Sequence, residues 1–485
     1  MTDEPTGEQI VESDARTHLS DLWKQEDWWA IWIAFILIVI SMALVFPHVP
    51  DDPSQKMSIP AAKWITKPRD WSGNPIHAFA KTQAEIDAVA KQAESPGTPP
   101  STSQKPYNVI PGLLFVWIFL SMLMSIAGFA IGENLPKFLV AFPVIFLMAV
   151  GGYWIAGQET IGSYGLEYVI WALLVGLIIS NTVLTPNWMR PAVKTELYIK
   201  TGLVLLGAEI LFGKILLLGP PGLVVAWVVT PIVIIFMFLL GTKYLRLNPR
   251  LSIVISSATS VCGVSAAIAT AGACRAKKEE LTLAIGMSLV FTVLMMVFMP
   301  LFISWVGMNL MVGAAWMGGT IDSTGAVVAA GAVLGPDAEK VAAVVKMIQN
   351  VLIGLVAFCV AVYWVTKVDR QPGGPKPSAM EIWYRFPKFI LGFVAASIVF
   401  SILDQSMSAD TAKLAIDEGV LKLTKTFRGW FFCLAFVSIG LESNFKELWA
   451  QMAGGKAMVL YVVGQSFNLI LTLFVAWLMF RHFAF

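Results

Sequence analysis

The chain has 485 residues, of which 57% are apolar and only 14% charged, with a net charge of +2. A soluble chain of this length would need a charged surface, and soluble domains carry about 25% charged residues. The composition therefore excludes a soluble globular protein, and the near-neutral balance offers nothing to nucleic acid.

Residues 1–27 are polar and hold Asp3, Glu4, Glu8, Glu12, Asp14, Asp21, Glu26 and Asp27, an acidic N-terminal tail. Residues 28–46 read as a retained first span, led by Trp28, Trp29 and Trp32 at one membrane edge, where indoles prefer to sit. There is no basic leader and no small-residue cleavage site in it, so it is not a signal peptide. Residues 47–107 contain ten prolines and scattered charge, a long extramembrane loop in which Lys81–Ala93 is a candidate short helix. Beyond it, apolar stretches long enough to cross a hydrocarbon core of roughly 30 Å recur at 109–127, 137–157, 165–181, 196–213, 219–241, 251–273, 280–304, 316–334, 341–365, 386–404, 428–443 and 456–480. With the first span they make thirteen candidates. An all-α polytopic membrane protein follows, because an open strand cannot face lipid. Three stretches, 251–273, 316–334 and 428–443, are short, charged, or rich in Gly, Ser and Thr; if each is broken or re-entrant, the crossings number 11–13.

The basic connections 182–195, 242–250 and 366–385 fall on the side of the N-terminus, which the positive-inside rule makes cytoplasmic, with loop 47–107 periplasmic. Arg275, Lys277 and Lys278 sit on the wrong side unless 251–273 is re-entrant. The four cysteines, Cys262, Cys274, Cys359 and Cys433, lie in apolar stretches without paired spacing and read as buried thiols.

Two internal similarities stand out. Gly202–Glu209 resembles Leu434–Glu442, each followed by a glycine (Gly219, Gly454) and another long span; Val264–Ala273 resembles Ser323–Ala332. Paired, glycine-interrupted segments in related halves are the sequence pointer to inverted repeats with a site near mid-membrane. The competing reading is close helix packing through small residues.

Charge in a bilayer costs about 2.5–3.5 kcal/mol per residue on insertion scales, so the polar residues inside spans are the informative ones. They are Glu167, Lys200, Glu209, Asp322, Lys346, Gln349, Asn350 and Glu442. Asp322 lies in Gly318-Gly319-Thr320-Ile321-Asp322-Ser323-Thr324-Gly325, where the glycines let a backbone unwind and Ala326 onward reads as a half-helix whose N-terminus suits an anion. Its own charge calls for a cation or proton, leaving Thr320, Ser323 and Thr324 as better anion donors; the competing reading is that Asp322, Ser323 and Thr324 cap that helix. Thr259, Ser260, the break at Cys262-Gly263 and Ser265 form a matching element, with Ser265 a candidate cap. Lys346, Gln349 and Asn350 share a helix face, and Lys346 can neutralise Asp322, hold an anion, or snorkel to the interface. Glu209 and Glu442 fit helix packing or an interfacial role, with ion coupling the alternative; Lys200 and Glu167 fit snorkelling. No histidine lies in a span, and HExxH, GxSxG and Walker patterns are absent, so the sequence predicts no enzyme and no cofactor.

Ser260-Val261-Cys262-Gly263-Val264-Ser265-Ala266-Ala267 resembles the Cys-Gly-x-Ser-Ala motif of the bacterial sulfate exporter family, and Lys200–Gly207, Pro300, Trp316–Ile321, Lys346 and Ser438–Leu441 fit the same pattern. The resemblance covers about residues 108–485, the expected transporter core. It implies kinship with secondary transporters of the bile acid–arsenite–riboflavin type, with two crossed, broken helices. It also implies a bacterial inner membrane, a small anion such as sulfate or a sulfonate as substrate, H⁺ or Na⁺ as a coupling ion, and room for a homo-oligomer. On that basis the substrate-binding candidates are Cys262, Gly263, Ser265, Gly319, Thr320, Ser323, Thr324 and Lys346, and the ion-coupling candidates Asp322, Glu209 and Glu442. The chain departs from the pattern at Val264, where the family often has Asn, at Gln349, where an Arg is expected, and in the additional residues 1–107. The first two reduce anion-binding capacity and leave the exact substrate open; Asp322 and the Gly-x-Glu repeats make a cation/proton antiporter one alternative, and a channel is another.

Overall fold

A computed structural model describes residues 19–50, 57–83, 85, 106–163, 168–210, 212–368, 380–444 and 455–482. Glu167, most of the acidic tail, and most of the candidate helix Lys81–Ala93 lie outside the described residues. The chain is an all-helical polytopic membrane protein. The main helices are α1 Glu26–Val45, α2 Ile110–Ile131, α3 Leu135–Ala156, α4 Tyr168–Thr182, α5 Thr195–Gly207, α6 Leu216–Tyr244, α7 Pro249–Ser260, α8 Ser265–Cys274, α9 Lys278–Val306, α10 Leu310–Thr320, α11 Thr324–Val333, α12 Pro336–Val368, α13 Phe389–Ser406, α14 Leu421–Glu442 and α15 Gly455–Phe480. Eight of them (α1, α2, α3, α6, α9, α12, α13 and α15) are long and apolar enough to cross a membrane, and α4, α8 and α11 are shorter apolar helices. The described strands, β1 Ala80–Lys81 and β2 Tyr107–Asn108, form one small antiparallel pair in the segment between α1 and α2.

The helices fall into two compact units. One is built from Ile210–Ser397 and Ser443–Phe485, the other from Trp23–Glu209 and Ile398–Glu442. The first contains both interrupted helices. α7 ends at Ser260 and α8 begins at Ser265; α10 ends at Thr320 and α11 begins at Thr324. Each interruption is framed in the same way. α7 packs between α6 and α9, α10 packs between α15 and α12, and the outgoing halves α8 and α11 both rest on α12. Inside the second interruption the glycines do a different job from the one expected. Gly318 and Gly319 are helical, and the break is Ile321–Ser323. A Cβ on Gly318 would come within 2.7 Å of the Ala342 carbonyl, and one on Gly319 within 2.8 Å of Thr472 Cγ2, so these glycines bring α10 close to α12 and α15 rather than unwinding it.

The second unit holds α14 against α4 and α5. Gly176 and Gly440 face each other so closely that a Cβ on either would lie 2.4 Å from a backbone oxygen of the other helix. Ser180 donates to the Gly440 carbonyl at 2.8 Å across this contact. α14 runs unbroken for 22 residues, so the stretch 428–443 is not interrupted up to Glu442. Its charge is paired instead: Arg428 lies 2.8 Å from Glu209, whose side chain is 3% exposed. Lys200 is also paired, with Asp27 at 2.8 Å and with Glu196 at 3.3 Å. In the same unit the loop is tied down by Trp71, stacked on Trp154 at 5.4 Å, and by the Trp430 indole donating to the Thr66 carbonyl at 2.9 Å.

Candidate functional site

The two interruptions meet. The Gly263 N–H donates to the Asp322 carbonyl at 2.7 Å, a main-chain bond from one break to the other. No larger side chain fits there, since a Cβ on Gly263 would sit 1.8 Å from Ser288 Oγ. The broken helices thus meet at the points where each fails to be continuous.

A helix that stops inside a membrane exposes its last carbonyls, which need donors. Those of α7 and α10 find them on two other helices. Gln349 of α12 donates through Nε2 to the Ser260 carbonyl at 2.9 Å and to the Gly319 carbonyl at 3.0 Å, one from each broken helix. Lys346, one turn earlier, donates to the Val261 carbonyl and to Gln349 Oε1. From α15, Asn468 donates to the Thr259 carbonyl at 3.2 Å and Gln465 to the Thr320 carbonyl at 3.3 Å. All four side chains are at most 3% exposed. The cation at Lys346 also complements the negative C-terminal end of α7. Lys346 is buried, so it does not snorkel, and it is not in ion-pair contact with Asp322.

Asp322 is held by hydroxyls. Tyr461 donates to its Oδ2, and Ser288 does so at 3.2 Å. Its other oxygen, Oδ1, is buried without a partner, as are Thr320 Oγ1 and Gln465 Oε1. Gln465 already touches the Thr320 backbone, and Tyr461 lies one turn before it, so these three unpartnered oxygens belong to one neighbourhood.

The N-terminal ends of α8 and α11 differ from the sewn-up C-terminal ends. Val264, Ser265, Ser323 and Thr324 are half-buried, not buried. No side chain caps either helix: Ser265 is the first helical residue of α8 rather than its cap, and Ser323 occupies the cap position of α11 without making the capping bond. Thr324 Oγ1 accepts from Asn350 Nδ2 at 2.8 Å. Cys262 and Gly263 are buried at this meeting point.

One place therefore brings together Cys262, Gly263, Ser265, Gly319, Thr320, Asp322, Ser323, Thr324 and Lys346. Glu209 and Glu442 belong to the other unit, Glu209 with Arg428 and Glu442 accepting from Thr195 Oγ1 at 2.9 Å. Sequence reasoning missed Ser288 and the α15 stripe of Tyr461, Gln465, Asn468 and Thr472. The stripe's spacing of i, i+4, i+7 and i+11 on one helix face was the available signal. Cys359 departs from the expected burial: it is exposed, while the other three thiols are buried. Among the described residues no group of three or more His, Cys, Asp or Glu is placed to hold a metal ion.

Comparison with known proteins places the chain among proteins named as membrane proteins. The family model described as "Conserved hypothetical protein 698" matches residues 140–461, which span both interruptions and most of their framing helices. The UPF0324 membrane protein RB9488 of Rhodopirellula baltica is 49% identical over 95% of this chain and 91% of its own. A UPF0324 membrane protein of Nitratidesulfovibrio vulgaris is 42% identical over 97% of each chain. The UPF0324 membrane protein TauZ of Paracoccus denitrificans is 26% identical over 61% of this chain and 84% of its own. Coverage of 95–97% means that most of the additional residues 1–107 are shared with the first two relatives. No solved structure matches. With two thirds of its length inside the family model and near-full-length relatives on either side of it, this chain belongs to the Conserved hypothetical protein 698 family, the UPF0324 membrane proteins.

Proposed function

We propose that this protein is a secondary transporter that moves a small anion, such as sulfate or an organic sulfonate, out of the cell by alternating access. The observation that carries this reading is the asymmetry of the meeting point. The carbonyl ends of both broken helices are buried and matched with donors, while the N-terminal ends, lined by Ser265, Ser323 and Thr324, are uncapped and half-open. Two helix N-termini with hydroxyls beside them are a ready anion site. Asp322 serves the coupling ion in this reading, an H⁺ on the carboxyl or an Na⁺ among Asp322 Oδ1, Thr320 Oγ1 and Gln465 Oε1, the oxygens left without partners.

The two roles separate by substitution in proteoliposomes. Ser265→Ala with Ser323→Ala is expected to raise the KM for the transported anion about tenfold, the effect of removing about 1.4 kcal/mol of binding, with ion coupling kept. Asp322→Asn is expected to abolish ion-driven accumulation. Unchanged coupling in Asp322→Asn removes Asp322 from the mechanism, and an unchanged KM in the double serine variant removes the N-terminal anion site. A cation/proton antiporter rests on the same unpartnered oxygens. Its signature is dissipation of a pH gradient by Na⁺ with no response to sulfate, and that result replaces the anion reading.

A further inference from the structure

Away from the meeting point, α6 and α12 part to leave a crevice of about 420 Å³, within the roughly 300–1,000 Å³ of small-molecule sites. Its walls are apolar side chains, among them Ile234, Phe238, Leu239, Val356 and Cys359. At one end Phe238, Tyr363 and Trp364 form an aromatic collar with ring centroids 5.6–6.3 Å apart. Both helices change there to π-helical turns, Leu240–Tyr244 and Trp364–Val368, the local widening that often marks functional sites. Trp364 is 2% exposed, and its indole N–H has no acceptor. One turn further on each helix stands an exposed lysine: Lys243 is four residues past Leu239, and Lys367 four past Tyr363.

We propose that this crevice is a site for one anionic phospholipid of the bilayer. Each part of such a lipid meets its match. The apolar walls take an acyl chain, and Lys243 and Lys367, exposed one turn beyond the aromatic collar, meet the phosphate. A neutral lipid would leave the two ammonium groups without a purpose, and a water-soluble anion would leave the slot unfilled.

The test uses the purified full-length protein in detergent, titrated with phosphatidylglycerol or phosphatidylcholine of identical chains and read by native mass spectrometry. One phosphatidylglycerol is expected to remain bound at least tenfold more tightly than phosphatidylcholine. Lys243→Gln and Lys367→Gln are each expected to weaken it about fivefold without changing phosphatidylcholine. Cys359 supplies a readout that needs no substitution, since the other three thiols are buried. Its alkylation by a maleimide should slow as phosphatidylglycerol is added and not as phosphatidylcholine is. Equal retention of the two lipids, lysine variants that bind like the parent, or a Cys359 rate indifferent to phosphatidylglycerol each overturns the site and reduces the crevice to ordinary lipid contact.

Discussion

At Gln349 one amide nitrogen serves the backbone of both broken helices, the Ser260 carbonyl of one and the Gly319 carbonyl of the other, while its oxygen accepts from Lys346. An arginine there would bring more donors but also a second buried cation beside Lys346. The glutamine gives two donors and an acceptor with no added charge, which suits a position already holding an ammonium. Gln349→Leu keeps the volume and deletes all of this. Orphaned buried carbonyls cost about 1–3 kcal/mol each in general, and hydrogen bonds between membrane helices measure nearer 1, so a loss of about 2 kcal/mol is expected. A thermal melt in detergent should fall by several degrees, and an unchanged melt would show that water or lipid replaces the amide. The face shared by Lys346, Gln349 and Asn350 could be read from spacing. Their acceptors could not, because the carbonyls lie 30–89 residues away in sequence.

Among the elements, the contact between α4 and α14 depends on what is missing from it. Gly176 and Gly440 let two backbones approach closely enough for the Ser180 hydroxyl to reach a carbonyl across the interface. Gly440→Ala would put a methyl group 2.4 Å from the Leu173 carbonyl oxygen, a clash with main chain that no side-chain rotation relieves. Overpacking of this kind costs about 1–3 kcal/mol, so Gly440→Ala should melt several degrees below the parent. Gly151→Ala in α3 meets nothing within 4 Å and should melt at or above it. If both variants behave alike, close approach is not what the α14 glycine provides. The glycines of 318–325 carry the same lesson. A Gly-Gly pair is equally good at unwinding a helix and at letting one pack tightly, and only the neighbours Ala342 and Thr472 decide between these.

For the molecule as a whole, the class of fold was plain from hydropathy, because lipid imposes a strict rule on backbone and length. The two interruptions were visible for a related reason: Ser, Thr and Gly are costly in an apolar run unless something uses them. What stayed hidden was the division of labour. Glu209 and Glu442 look like Asp322 in sequence, each an acid in a greasy stretch, yet they belong to a different unit and have Arg428 and Thr195 for company. Tyr461, which donates to Asp322 from 139 residues away, sits in a span whose average hydropathy masks its polar stripe. The bond that joins the two interruptions, Gly263 N–H to Asp322 C=O, has a consequence for how such a protein diversifies. It is made by main chain on both sides, so exchanges of side chain elsewhere leave it intact as long as position 263 stays glycine. The residues that flank it, Val264, Ser265, Ser323 and Thr324, are half-buried, so their side chains can be exchanged while the joint between the two breaks stays in place.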